Sequence, residues 1–330
     1  MRKGWTPAFR DGSGGVLAGS VAEAGTVRIG GIDQWVLLRG REVGNPLMVY
    51  LHGGPGSSET AFVRAYNAEL EDHYTVVYWD QRGAGRSYSP KIPTASMTLE
   101  HILADLDELV DALLARFGKS KLVVLGHSWG SVVGALYAAR HPTKVSAYVG
   151  VGQVADMAAS EMASYAFVLA EAERRGNAKA LAALRAIGPP PHEIKTLIQQ
   201  RRWLNTFGGG MGPNLTMGAM MWKALRTPEA SPWDLVRLVQ GSMFSLRALW
   251  SDLMSLELER EAARFEVPVF FALGRRDMQV VAEVSAKYFE RIEAPRKELV
   301  WFEQSGHFSA FEEPENFHRL MIETVRPLAV

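Results

Sequence analysis

Gly126-His127-Ser128-Trp129-Gly130 sets a serine between glycines two positions to either side. A serine hydroxyl barely ionises at neutral pH, so attack on a carbonyl needs a neighbouring base whose pKa lies near the working pH, and imidazole is that group. Of the eight histidines, His307 is the candidate, because Ser305-Gly306-His307-Phe308 follows an apolar run at 299–302 and precedes a helical pattern. His73, His101, His141, His192 and His318 fall in helices or turns away from strand ends and read as surface or packing residues. His127 adjoins the serine, yet its side chain is expected to point away and serve the structure. Asp277 closes the stretch 267–277, after Leu273-Gly274-Arg275-Arg276. A carboxylate there can reach the far imidazole nitrogen and fix its tautomer. The bland alternative is a turn aspartate capping a helix that starts near Val280. Asp156 is the reserve acid. Together these residues point to hydrolysis of an ester or amide through an acyl-enzyme, with Ser128 as nucleophile.

Such chemistry also needs donors for the developing oxyanion. Leu51 is followed by His52-Gly53-Gly54-Pro55-Gly56, a loop whose glycines let backbone N–H groups approach a negative charge. Chance expectation for this five-residue string is on the order of 3 in 10,000, which makes it a specific signal. The N–H groups of Gly54 and Trp129 are the expected oxyanion hole. Gly53, Pro55 and Gly56 shape the loop, and His52 is expected to brace it.

The elements that must position these groups follow from periodicity. Residues 26–29, 32–39, 47–51, 75–79, 122–125, 145–151, 267–273 and 299–302 read as strands rich in Val, Ile, Leu and aromatics. Leu99, Ile102, Leu103, Leu106, Leu109, Val110 and Leu113 recur at helical spacing and predict a helix over 98–117. Further helices are expected at 128–140, 281–292 and 314–325. Antiparallel strands followed by strand–helix alternation predict an α/β fold, a mostly parallel sheet with helices on both faces. Ser128 then lies between a buried strand and a helix of small residues, the setting of a nucleophile elbow.

Between 153 and 265 strand signals vanish. Helical stretches follow one another, broken at Pro189-Pro190-Pro191 and Gly208-Gly209-Gly210, and eight of the 13 methionines lie there with Trp203, Trp222, Trp233 and Trp250. The expected division is an extension over 1–25, a catalytic domain over 26–152 and 266–330, and a helical cap over 153–265. The Met and Trp suit helix packing and an adaptable substrate pocket alike.

Composition excludes several classes. The 36 basic and 36 acidic residues cancel, and no basic block offers a footprint for nucleic acid or an anionic membrane. There is no cysteine, hence no disulfide or thiolate chemistry. No run of about 18 apolar residues spans a membrane, and the first 25 residues lack a signal-peptide core. A cytoplasmic protein acting on a small molecule or short peptide is expected. Metal and nucleotide motifs are absent, so no cofactor is expected.

The blocks His52–Gly56, Asp80-Gln81-Arg82-Gly83-Ala84-Gly85-Arg86-Ser87, Gly126–Gly130, Gly274–Asp277 and Gly306-His307 resemble, in order, those of the proline iminopeptidase family of α/β-hydrolases. The similarity covers roughly 26–152 and 266–330. It implies the α/β-hydrolase fold, a Ser128–Asp277–His307 triad, and a bracing role for Asp80, Gln81 and Arg82. Family aminopeptidases hold the substrate's free ammonium with acids, mainly from the cap. This chain departs from them: it lacks a Trp-x-x-Trp-Glu segment, and Met278 stands where some relatives carry glutamate. Glu161, Glu257 and Glu259 are the candidate amine ligands, each equally readable as a solvated helix-face residue. Removal of an N-terminal proline or small residue and carboxylesterase or amidase action on apolar acyl groups both remain open, since fold and triad do not choose substrate. A non-catalytic binding protein on this fold is the remote alternative.

Overall fold

Strand residues alternate between two faces, and here both faces are buried. Val49 and Leu51 join one apolar core with Val77, Trp79 and Val124, whereas their neighbours Met48 and Tyr50 join a second core with Val76, Tyr78 and Val123. The computed structural model describes residues 2–329. Met1 and Val330, the ends of the expected extension and of the expected 266–330 segment, lie outside the described residues. The strands are β1 (Arg2–Lys3), β2 (Val21–Ile29), β3 (Ile32–Gly40), β4 (Leu47–Leu51), β5 (Thr75–Trp79), β6 (Leu122–His127), β7 (Val145–Val151), β8 (Val269–Gly274) and β9 (Lys297–Phe302). They form one sheet in the order β1-β2-β3-β5-β4-β6-β7-β8-β9, antiparallel from β1 through β3 to β5 and parallel from there on.

The helices are α1 (Thr60–Asn67), α2 (Leu99–Phe117), α3 (Trp129–Arg140), α4 (Met157–Arg174), α5 (Ala178–Ile187), α6 (Ile194–Phe207), α7 (Met217–Ala224), α8 (Pro232–Ser255), α9 (Leu258–Glu261), α10 (Ala282–Arg291), α11 (Ser309–Glu312) and α12 (Pro314–Arg319). Helices α2, α3 and α10 pack on the first core, and α1, α7 and α12 on the second. The α2 stripe from Ile102 to Leu114 is buried, its start is capped by Thr98 accepting from the His101 N–H, and it ends at Gly118 in the left-handed region. Helices α4 to α9 all fall between β7 and β8. Tyr165, Val168, Ala180, Leu184, Leu204 and Phe207 give this segment a core of its own. Among the described residues no helix is long and apolar enough to cross a membrane.

The expected sheet class is present, with altered bounds. β2 begins at Val21 rather than Thr26 and pairs with β3 along its whole length, so part of the expected 1–25 extension belongs to the sheet, as does β1. Ala22, Ala24 and Gly25 carry little strand propensity; the β3 ladder imposes the conformation. Pro268 has no N–H for the ladder, and β8 starts after it, at Val269. The expected last helix stops at Arg319 and widens into a π-helical turn over Leu320–Val325. Helix α1, eight residues long, was too short to show a periodic stripe.

Registry brings the strand ends together. Leu51 pairs with Trp79 and Gly126, His127 with Val151, Val151 with Ala272, and Gly274 with Phe302. The loops that follow β4, β6, β8 and β9 therefore leave one edge of the sheet, where open α/β folds place their ligands.

Candidate active site

Ser128 stands between β6 and α3 with φ 53° and ψ −120°, and among the described residues no other non-glycine residue has a positive φ. A left-handed turn this tight tolerates no side chain two positions away. A Cβ on Gly126 would lie 2.2 Å from the Gly130 carbonyl oxygen, and one on Gly130 would lie 2.0 Å from that of Leu51. The Ser128 N–H donates to the Val151 carbonyl at 2.9 Å, which ties the turn to the end of β7. Strain held by surrounding contacts is characteristic of functional residues.

His307 leaves the β9 edge and lies against Gly152, the residue after Val151; a Cβ there would be 3.0 Å from His307 Nδ1. Nδ1 donates to Asp277 Oδ2 at 2.7 Å, and both side chains are buried. Asp277 Oδ1 accepts the N–H groups of Gln279 and Val280 at 2.8 and 2.9 Å, so the carboxylate orients the ring with one oxygen and closes a turn with the other. The helix it precedes starts at Ala282, two residues beyond the turn. With Nδ1 protonated, the neutral ring keeps its lone pair on Nε2, which has no hydrogen-bond partner among the described residues. The reserve acid Asp156 instead caps α4, accepting the Ala159 N–H.

The loop after β4 is tied down on three sides. His52 donates from Nδ1 to the Gly53 carbonyl at 2.8 Å and accepts the Gln81 N–H on Nε2 at 3.1 Å, so both nitrogens are used in bracing. Gln81 also bonds the His52 carbonyl and accepts the Trp129 indole N–H. Asp80 accepts the Ser58 hydroxyl at 2.5 Å and the Arg86 N–H at 2.8 Å, and Arg82 pairs with buried Asp105. The third tie runs from Glu59. Its carboxylate accepts the Tyr50 hydroxyl at 2.7 Å and lies 2.8 Å from His127 Nδ1. Glu59 carried no signal in the sequence. It precedes a short helix, and nothing in the spacing joins it to a histidine 68 positions later.

Gly54, Ser128 and Trp129 line one cavity of about 360 Å³. The rest of its wall is mostly apolar, with Val154, Met157, Leu246, Trp250 and Leu253 among its residues, and its charged members are Arg201 and Arg202. None of the three glutamates expected to bind a substrate amine lines it. Glu161 is buried behind this wall in an ion pair with Arg201, and its second oxygen has no hydrogen-bond partner among the described residues. Glu257 pairs with Arg260 and Glu259 with Arg291 beside a separate cleft that also contains Asp156. Arginine partners on facing helices, invisible to spacing, hold Glu161 and Glu259, whereas Glu257 pairs three residues along its own helix and is largely exposed, as a solvated helix-face residue would be. Of the Met and Trp in this segment, Met157 and Trp250 face the cavity, while Trp222 and Trp233 are 61% and 70% exposed. Among the described residues no group of three His, Cys, Asp or Glu side chains could hold a metal ion.

Residues 46–314 match the alpha/beta hydrolase fold family. The probable aminopeptidase YbaC of Bacillus subtilis (strain 168) is 34% identical over 300 residues, which cover 90% of this chain and 94% of that protein. The proline iminopeptidase of Saccharolobus solfataricus is 24% identical over 92% of each chain. The crystal structure of Mycobacterium smegmatis proline iminopeptidase superposes with a TM-score of 0.68 at 18% identity, over 93% of this chain and 98% of that one, a likeness of fold alone.

Proposed function

Because the chain belongs to the alpha/beta hydrolase family, we propose that it is a serine hydrolase cleaving an ester or amide bond through an acyl-enzyme. Ser128 is the nucleophile, His307 the general base, Asp277 the acid that orients it, and the N–H groups of Gly54 and Trp129 form the oxyanion hole. The observation that carries the reading is the strained Ser128 turn, opening on the cavity that Gly54 and Trp129 also line. His307 Nε2 takes the hydroxyl proton as Oγ attacks the carbonyl carbon, and Asp277 stabilises the imidazolium that forms. Trp129 is the first residue of α3, so its N–H has no intrahelical partner and is free to bind the oxyanion. The proton passes to the leaving group, and a water activated by the same nitrogen releases the acid.

Residues 153–265 act as a cap domain over this site, and the apolar wall they supply suits an apolar acyl group. A second reading, release of an N-terminal residue, is favoured by the relative named a probable aminopeptidase, which matches nearly the whole chain. On that reading the substrate's ammonium needs a carboxylate, and Glu161, ion-paired with Arg201 of the wall, is the candidate.

A fluorophosphonate probe should label Ser128 and no other residue. Ser128→Ala should lose on the order of a million-fold in kcat while melting as wild type does. Labelling at another serine, or near-normal turnover by the variant, would refute the assignment.

A further inference from the structure

His127 is buried and has a partner on each ring nitrogen. Nδ1 lies 2.8 Å from Glu59 Oε1, and Nε2 lies 3.0 Å from the His307 carbonyl oxygen. A carbonyl oxygen can only accept, so Nε2 carries a hydrogen. The remaining proton lies on Nδ1, giving imidazolium and carboxylate, or on Glu59, giving a neutral pair. Burial works against both charges. It is outweighed: the Glu59 charge holds the His127 imidazole above its ordinary value, and His127, with the Tyr50 hydroxyl, holds the Glu59 carboxyl below its own.

The two side chains sit where three loops of the site meet. A Cβ on Gly53 would lie 3.0 Å from Glu59 Oε1, 3.3 Å from His127 Nδ1 and 3.2 Å from Ser128 Cβ. The oxyanion loop, the pair and the nucleophile are thus in contact at one point. The His127 ring centroid is 4.9 Å from that of His307, and Phe308 and Phe311 close the apolar side. Besides Glu59, the ionisable groups facing His127 and its partner are His307 and Asp277 from the β9 and β8 loops, and Tyr50 and His52 from β4 and its loop.

Resting on the serine-hydrolase reading, we propose that Glu59 and His127 are positioning residues, an ionised pair that holds the base loop against the oxyanion loop. The imidazolium donates to the His307 backbone while Glu59 anchors it beside Gly53. A neutral imidazole has one N–H and cannot donate to both. Glu59→Leu removes the charge and the acceptor, and forces the ring to leave Nδ1 without a partner or remain an unpaired buried cation; Glu59→Gln does not, since its amide can donate to a neutral Nδ1.

Long-range ¹H–¹⁵N spectra of histidine-labelled wild-type protein read this state directly, with the His127 signal assigned by its loss in His127→Gln. Two protonated nitrogens are expected at about pH 6 to 6.5, below the raised value of the imidazole; one protonated nitrogen there overturns the ionised pair, and this measurement needs no stable Glu59 variant. In Glu59→Leu the ring should become neutral, and kcat should fall by roughly ten- to a hundredfold from misplacement of the base, with KM changed less than about twofold. A folded Glu59→Leu with wild-type kcat overturns the positioning role. Fluorophosphonate labelling of the wild type separates the two readings. An unlabelled Ser128 defeats the hydrolase assignment itself, whereas a labelled Ser128 beside an unimpaired Glu59→Leu defeats only the role of the pair.

Discussion

Each side chain at this site serves through specific atoms, and that decides what can be altered. Asp277 spends one oxygen on His307 and the other on its own turn, so replacing it disturbs both. Ser128, Asp277 and His307 were legible because each closely follows a recognisable strand. Glu59 was not, because its partner is brought to it only by the fold. The pair it makes with His127 carries a pH signature. Glu59 is held below its ordinary 4.5, so its contribution to stability is present above that value and lost as pH falls through the folded pKa. His127 is held above its ordinary 6.5, so its contribution is complete below that value and lost as pH rises through the folded pKa. The gap in melting temperature between wild type and Glu59→Leu should therefore be widest from about pH 4.5 to 6.5 and narrow on either side. Removing one partner of a buried pair costs about 3–5 kcal/mol at its fullest, which a melt resolves readily. A gap that stays constant from about pH 4.5 to 10 would show that no ionised pair contributes.

At the scale of elements, the site depends on backbones that approach more closely than side chains allow. Strands buried on both faces, such as β4 and β6, could be read from their unbroken apolar runs. The start of β2 and the π-helical turn after α12 could not, since pairing and packing set them rather than composition. The β4 loop was identifiable from its glycines, and the structure shows the reason. Gly54 has φ 120°, and a Cβ on it would meet the backbone nitrogens of Gly56 and Ser57 at 2.5 and 2.6 Å. Gly54→Ala must shift that loop, and with it the N–H assigned to the oxyanion. Losing one such donor typically costs roughly 10²–10³-fold in kcat. The loop is held independently through His52, Ser58 and Glu59, so kcat should suffer more than the melting temperature. Equal kcat in a folded Gly54→Ala would remove this loop from the mechanism.

Across the whole molecule, the cavity beside Ser128 lies where the sheet edge meets the helices between β7 and β8. The change of pattern near residue 153 announced that segment, but composition could not say which of its residues look inward. Met157 and Trp250 line the cavity that Ser128 also lines, while Trp222 and Trp233 face solvent. The charges are more informative. The cavity wall has no carboxylate, its charged members are Arg201 and Arg202, and Glu161 is already neutralised by Arg201. A free ammonium entering here would lose water and meet the Arg202 cation and an Arg201 already paired with Glu161, which is costly without a carboxylate to receive it. Blocking the substrate's amine should then do little harm. Free and N-acetylated prolyl arylamides are expected to differ by less than about threefold in kcat/KM, and aryl esters should show KM falling as the acyl chain lengthens until the cavity is full. Strict dependence on the free amine, a loss beyond tenfold or about 1.4 kcal/mol on acetylation, would mean that Arg201 yields Glu161 to the substrate. The aminopeptidase reading would then replace the apolar-acyl one, and Glu161→Gln should abolish the preference for the free amine.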